Sequence, residues 1–229
     1  MNTVAAPIRR AVVRVAATAV LSLASAAWLA LAVQPACAAT DPAGFDAAFA
    51  QFQRAVGGDD QSIDGAARAF AALASADPAD PVLLAYAGAA TALQARAAVL
   101  PWKKLAYADE GLARIDKALA LIEPAHDALL HRGTAASLEA RFVAANTFLG
   151  MPAMFNRKAR GTKLLDEVLK SPLFEASPLP FRGNVWLRAG VAAAADSRAA
   201  DARRWFEQVI ASGAPQATAA QAKLKELAS

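Results

Sequence analysis

The chain has 229 residues, of which 56% are hydrophobic and 19% charged, and this composition excludes intrinsic disorder over any large part of it. Alanine is frequent throughout, while aromatic residues make up only 7%, which favours closely packed helices over strands. The formal net charge of +4 arises largely at the N-terminus, because without Arg9, Arg10 and Arg14 the chain has 21 basic and 20 acidic residues. Nucleic acid is therefore not an expected partner, since proteins that bind it carry a pronounced basic excess.

The N-terminal segment has the order of a secretory signal peptide. The three arginines are followed by an uncharged apolar run over residues 15–33, and Ala36 and Ala38 supply the small residues of an A-x-A cleavage site. We expect cleavage before Ala39, so that residues 1–38 are the signal peptide and residues 39–229 form one mature helical domain. This predicts a periplasmic or secreted protein.

Two alternatives to cleavage stay open. The apolar run is nineteen residues long and could cross a bilayer as an uncleaved anchor, although alanine and serine dilute it and Pro35 follows it. Cys37, the only cysteine, could carry lipid, although Gln34 and Pro35 do not match a lipoprotein signal. Cleavage before Ala39 would leave no thiol, and would exclude disulfides and thiol catalysis.

Helical periodicity begins after Asp41. Phe45, Phe49, Phe52 and Val56 fall on one stripe of a helix that ends at two glycines. The same reasoning along the chain predicts an all-α fold of four antiparallel helix hairpins and a terminal helix, with helices at 45–56, 62–76, 81–98, 103–121, 126–148, 157–170, 182–195, 199–211 and 215–227.

Small and large residues recur in these hairpins with a fixed spacing, and the small residues Gly88, Gly133 and Gly190 would let the two helices of a hairpin approach closely. In the clearest copy the first helix carries Trp186, Ala189, Gly190 and Ala193, and the second carries Ala202, Phe206 and Val209. Weaker copies combine Leu84, Ala87, Gly88 and Thr91 with Gly111, Ile115, Ala118 and Pro124, and Leu129, Gly133 and Ala136 with Gly161, Leu165, Val168 and Pro172. On these residues the chain resembles a tetratricopeptide-repeat protein with degenerate copies. The resemblance implies a short solenoid with a C-terminal capping helix, and a generic alanine-rich helical bundle is the alternative.

The sequence contains no catalytic constellation. His126 and His131, the only histidines, would lie about 140° apart on the fifth predicted helix, too far around it to chelate one metal ion. No phosphate-binding loop, dinucleotide fingerprint or nucleophile elbow is present. We therefore expect neither enzymatic activity nor a cofactor or metal.

Two insertions interrupt the repeat spacing. Twelve residues separate Gly190 from Ala202, whereas the separation from Gly88 to Gly111 is eleven residues longer and that from Gly133 to Gly161 sixteen longer. Each insertion combines a proline, apolar residues and basic residues, and neighbouring repeats would place the two side by side as one edge. An apolar and basic edge suits an acidic and apolar partner or an anionic membrane surface, unless its large apolar residues pack inward. The candidate partner-binding residues are Trp102, Lys103, Lys104, Met154, Phe155, Arg157 and Lys158.

The resemblance also places a concave face on the first helices of the hairpins. The corresponding positions are Val82, Ala85, Ala89, Ala92 and Leu93, then Asp127, Leu130, Thr134, Ser137 and Leu138, then Asn184, Leu187, Val191, Ala194 and Ala195. None is basic, so a clamp for a peptide carboxylate is not expected there, although an apolar segment could bind. We expect an adaptor or assembly factor that binds another envelope protein or a peptide. The alternative is a small-molecule binder or transport accessory with a pocket inside the helical stack.

Overall fold

The computed structural model describes residues 42–228, which are predominantly helical, with the helices packed in consecutive pairs. The predicted signal peptide, its cleavage site and Cys37 lie outside the described residues. The α-helices of the described part are α1 Pro42–Val56, α2 Gln61–Ala76, α3 Pro81–Ala97, α4 Pro101–Ala120, α5 Ala136–Gly150, α6 Lys158–Lys170, α7 Leu179–Ala195, α8 Ala199–Ala211 and α9 Ala217–Ala228. No helix within this range is long and apolar enough to cross a membrane.

Local signals define most of these helices. Asp80 begins α3, because its Oδ1 atom accepts hydrogen bonds from the backbone N–H groups of Val82 at 2.7 Å and Leu83 at 3.2 Å. Pro81, at the first helical position, needs no acceptor for a backbone N–H. The all-α prediction is confirmed, and eight of the nine predicted helices begin and end within three residues of the predicted positions.

The fifth predicted helix, 126–148, is wrong over its first ten residues. Where the sequence predicted helix for residues 126–135, the structure has two other elements. These are a short 3₁₀ helix, Pro124–Asp127, and a two-stranded hairpin of β1 Leu130–His131 and β2 Thr134–Ala135. Leu130 pairs with Ala135 and His131 with Thr134. The two residues between the strands, Arg132 and Gly133, have positive φ values of 49° and 79°, as a tight hairpin turn requires. Helix α5 therefore begins only at Ala136.

Close helix contacts occur at glycines, as predicted for two hairpins. A Cβ atom on Gly88 would lie 2.7 Å from the backbone oxygen of Gly111, so α3 and α4 touch there, and a Cβ atom on Gly190 would overlap the ring of Phe206. The predicted role of Gly133 is wrong, because this residue lies in the hairpin turn. The α5–α6 pair instead meets where Gly161 packs on Leu149.

Two clusters of buried side chains form most of the core. The N-terminal cluster contains Phe45, Phe70 and Tyr86, and the C-terminal cluster contains Trp186 and Phe206. Helix α5 contributes to both clusters and is buried on most of its circumference. The first half of α3 is buried in the same way. The few side chains of α5 that are not buried therefore lie in the middle of the helical stack.

Candidate functional site

A cleft of about 780 Å³ lies among the first helices of the hairpins. We refer to it as the cleft. Its lining comes mainly from α1, α5 and α7, with Arg132 and Thr134 of the hairpin and Gln216 before α9. Thr134, Asn184, Leu187 and Val191 belong to the predicted concave face, whereas Val82, Ala85 and Leu138 are buried in the core.

Aromatic rings form much of the lining. The rings of Phe142 on α5 and Phe181 on α7 meet edge to face with centroids 5.4 Å apart. On the opposite part of the lining, Phe49 and Phe52 of α1 contact Tyr86 at centroid distances of 5.7 Å and 5.3 Å. The four phenylalanines are only partly buried, so the cleft presents apolar surface that a ligand could cover.

Arg132, in the turn of the hairpin, lines the cleft, and an acidic side chain balances its charge. Its guanidinium lies 3.6 Å from the centroid of the Phe49 ring and donates hydrogen bonds to the Tyr86 hydroxyl, at 3.3 Å, and to Oε1 of Glu139. Glu139 is 1% exposed. Burial raises the pKa of Tyr86 well above its ordinary value, and the Glu139 carboxylate raises it further. Tyr86 therefore stays protonated and donates to Glu139 Oε1 over 2.8 Å.

The hairpin that carries Arg132 is fixed from below by His131. This side chain is 6% exposed and its Nε2 atom lies 2.8 Å from Oδ2 of Asp80 at the start of α3. Burial by itself would raise the pKa of Asp80, but the hydrogen bonds from His131 and the α3 backbone and the charge of His131 lower it. The prediction that His131 lies on a helix is wrong, because it belongs to β1 and its buried side chain anchors the turn.

Arg188 on α7 brings a second positive charge into the cleft. Its Nη2 atom donates to the backbone oxygen of Asn146 over 3.0 Å, and its Nε atom is buried without a hydrogen-bond partner. Burial lowers the pKa of Arg188, and within residues 42–228 it forms no ion pair with an acidic side chain. A partly buried charge without a counter-charge costs free energy, so an anionic group placed beside it would be stabilised.

Amide side chains lie in the same part of the cleft. The Nε2 atom of Gln216 donates to Oδ1 of Asn184 at 2.9 Å and to the backbone oxygen of Pro180 at 3.1 Å. The Oε1 atom of Gln216 is buried without a partner. Two buried polar atoms beside the cleft, Nε of Arg188 and Oε1 of Gln216, thus lack a hydrogen-bond partner within the described residues.

Sequence reasoning excluded basic residues from this face, and the structure corrects that expectation. Arg132 was missed because it was assigned to a helix, and the only local sign of a turn was Gly133, since arginine is not typical of the first position of such a turn. The predicted concave face included Leu187 but not the next residue, Arg188, because the predicted stripe of α7 was narrower than the part of the helix that lines the cleft.

None of the seven predicted partner-binding residues lines the cleft. Trp102, Lys103, Lys104 and Met154 are exposed, so Trp102 and Met154 do not pack inward. Phe155 is partly buried against the C-terminal cluster. Arg157 forms an ion pair with Asp116 at 3.0 Å and Lys158 one with Asp196 at 2.5 Å.

The two insertions do not form one continuous edge. Arg157 reaches α4 at Asp116, fourteen residues beyond Trp102, which corresponds to about 21 Å along the helix. The basic pairs of the two segments are therefore separate surface features.

Within the described part of the chain, no group of three or more His, Cys, Asp and Glu side chains could hold a metal ion. Comparisons of the chain with protein-family models, with curated proteins and with solved structures gave no match.

Proposed function

We propose that the protein is an exported, non-catalytic adaptor that binds a segment of another envelope protein in the cleft. The observation that carries this proposal is the environment of Arg188, a partly buried cation without an acidic partner in a cleft lined by partly exposed aromatic rings. The arrangement of α1, α3, α5 and α7 around the cleft supports the tetratricopeptide-like reading, in which first helices bind the ligand.

The lining indicates the chemistry of the bound segment. Apolar or aromatic side chains of the partner would pack on Phe142, Phe181 and Leu187, and a carboxylate would accept hydrogen bonds from Arg188. Arg132 is less suited to that role because Glu139 already balances its charge. We therefore expect a segment that combines apolar residues with one acidic group.

A displayed library of random peptides tests the proposal. We expect selection on the chain from Ala39 onward to enrich apolar sequences containing Asp or Glu, and synthetic copies of these to bind at least about tenfold more weakly to Arg188→Gln, roughly 1.4 kcal/mol. Arg203→Gln, at an exposed arginine of α8, is the matched control and should bind as the parent does. The proposal would be contradicted if the selected peptides bound equally well to Arg188→Gln and Arg203→Gln. It would also be contradicted if the selection enriched no such peptides.

A small organic ligand is the second candidate, because the cleft volume of about 780 Å³ and the amides of Asn146, Asn184 and Gln216 suit a drug-sized molecule. Native mass spectrometry of protein purified from its own host distinguishes the two. A bound mass of a few hundred daltons that the selected peptides displace would favour the small-molecule reading.

Export remains part of the proposal. Protein recovered from the cell envelope should have an intact mass that corresponds to a chain starting at Ala39 or Thr40. A mass that includes residues 1–38 would favour the anchor, and lipid on Cys37 would establish a lipoprotein.

A further inference from the structure

The corner between α3 and α4, residues 99–105, concentrates exposed apolar side chains. Eight large apolar side chains are exposed within residues 42–228, and four of them lie in this seven-residue segment. Their exposed fractions are 88% for Val99, 38% for Leu100, 66% for Trp102 and 46% for Leu105. We call this segment the α3–α4 corner.

Residues 99–101 of the corner lie beyond the paired part of α3 and α4, and Trp102 stands at its end. Gly88 and Gly111 are in contact, so in an antiparallel pair the last residue of α3, Ala97, stands opposite Trp102 of α4. Ala98 and Leu100 are extended, and Pro101 starts the next helix. None of the four exposed apolar residues is a buried or partly buried member of the core clusters.

Two lysines lie within this apolar segment. Lys103 and Lys104 are exposed, and neither forms an ion pair with a described residue. They occupy the first turn of α4, where the helix dipole disfavours positive charge, so helix stability does not explain their position. The nearest basic residues on either side in the sequence are paired, Arg96 with Asp60 at 3.0 Å and Arg114 with Glu110 at 2.6 Å.

We propose that the α3–α4 corner binds an anionic lipid surface, with Trp102 and its aliphatic neighbours in the interfacial region and Lys103 and Lys104 against the headgroups. Tryptophan and lysine at the boundary of an apolar segment suit this environment, because the indole is amphipathic and lysine extends its charge outward. A protein partner fits less well. Four side chains on a convex tip present on the order of a few hundred Å², below the ~800 Å² per partner of a stable interface.

Vesicle sedimentation with the chain from Ala39 onward tests this proposal, because that chain contains every described helix and both core clusters. We expect binding to phosphatidylcholine vesicles that contain one third phosphatidylglycerol, and at least about tenfold weaker binding to pure phosphatidylcholine. Lys103→Gln with Lys104→Gln, and Leu100→Ala with Trp102→Ala, should each reduce the affinity for the anionic vesicles by about tenfold or more.

Matched control variants show whether a loss of vesicle binding is specific to the α3–α4 corner. Lys117→Gln with Lys225→Gln removes two other exposed lysines, and Met154→Ala removes another exposed apolar side chain, and neither should change vesicle binding. Thermal melts should show the corner variants to be as stable as the parent. Fluorescence gives a second readout, since brominated lipid should quench a component of tryptophan emission that Trp102→Phe lacks.

Absence of binding to anionic vesicles would overturn the proposal, and so would equal binding to neutral vesicles or equal loss in the control variants. These outcomes are independent of peptide binding in the cleft, because none of the corner residues lines it.

Discussion

The Nε2 atom of His131 lies 2.8 Å from Oδ2 of Asp80, and both side chains are almost fully buried. This contact joins the hairpin to the start of α3, so Asp80 caps a helix and positions the turn with the same carboxylate. It ties Arg132, at the rim of the cleft, to the N-terminal core.

The lowered pKa of Asp80 predicts acid destabilisation. Because the folded pKa lies below the ordinary aspartate value of about 3.9, the unfolded chain binds more protons in the window between the two. The stability contribution is complete above about pH 4 and is lost as the pH falls through the folded pKa. Urea unfolding across this range should show a smaller pH dependence for Asp80→Asn than for the parent. Asp46→Asn, at an exposed site of α1, is the control, and an unchanged profile for Asp80→Asn would contradict the prediction.

The contact of Gly190 with Phe206 predicts a steric cost. Gly190→Ala should lower the free energy of unfolding by about 1–3 kcal/mol, because its Cβ would overlap the Phe206 ring. Combining it with Phe206→Leu should cost less than the sum of the single changes. Gly150→Ala, whose Cβ would meet only Arg188 Nη2 at 4.0 Å, should be neutral or slightly stabilising. Denaturant titrations measure all four variants, and equal effects at the two glycines would argue against close packing of α7 and α8.

Arg132 and Glu139 should be energetically coupled. Arg132→Leu leaves the buried Glu139 carboxylate without its cation and should cost about 1–3 kcal/mol. The double variant Arg132→Leu with Glu139→Leu should cost less than the two single variants together. A double-mutant cycle by chemical denaturation gives the coupling energy, and additive effects would mean that the pair does not hold the hairpin.

Arg188 should favour peptide binding while contributing little or nothing to the stability of the fold. Arg188→Met removes a partly buried, unpaired charge, so the free energy of unfolding should stay the same or rise by up to about 1 kcal/mol while peptide binding falls. Arg203→Met should change stability by less than about 0.5 kcal/mol and leave binding intact. A clearly less stable Arg188→Met protein would instead assign this arginine to the scaffold.

The helices were predictable because their signals are local. The Asp80-Pro81 start of α3, the glycines after α1 and the apolar stripes of α2 and α8 act through neighbours within one or two turns. The glycine spacing also anticipated two helix contacts, at Gly88 and Gly190, because close packing of a hairpin requires a small residue at the crossing.

Tertiary structure alone decided the chemistry of the cleft. Asp80 and His131 are separated by fifty residues of chain, and their contact helps to hold residues 130–135 as a hairpin rather than as the start of α5. The cleft positions of Arg132 and Arg188 depend on that hairpin and on the rotation of α7 against α5, where one residue turns a side chain by about 100°. Local patterns fix where a helix begins and which face is apolar, whereas the pairing of charges depends on groups that only the folded chain brings together.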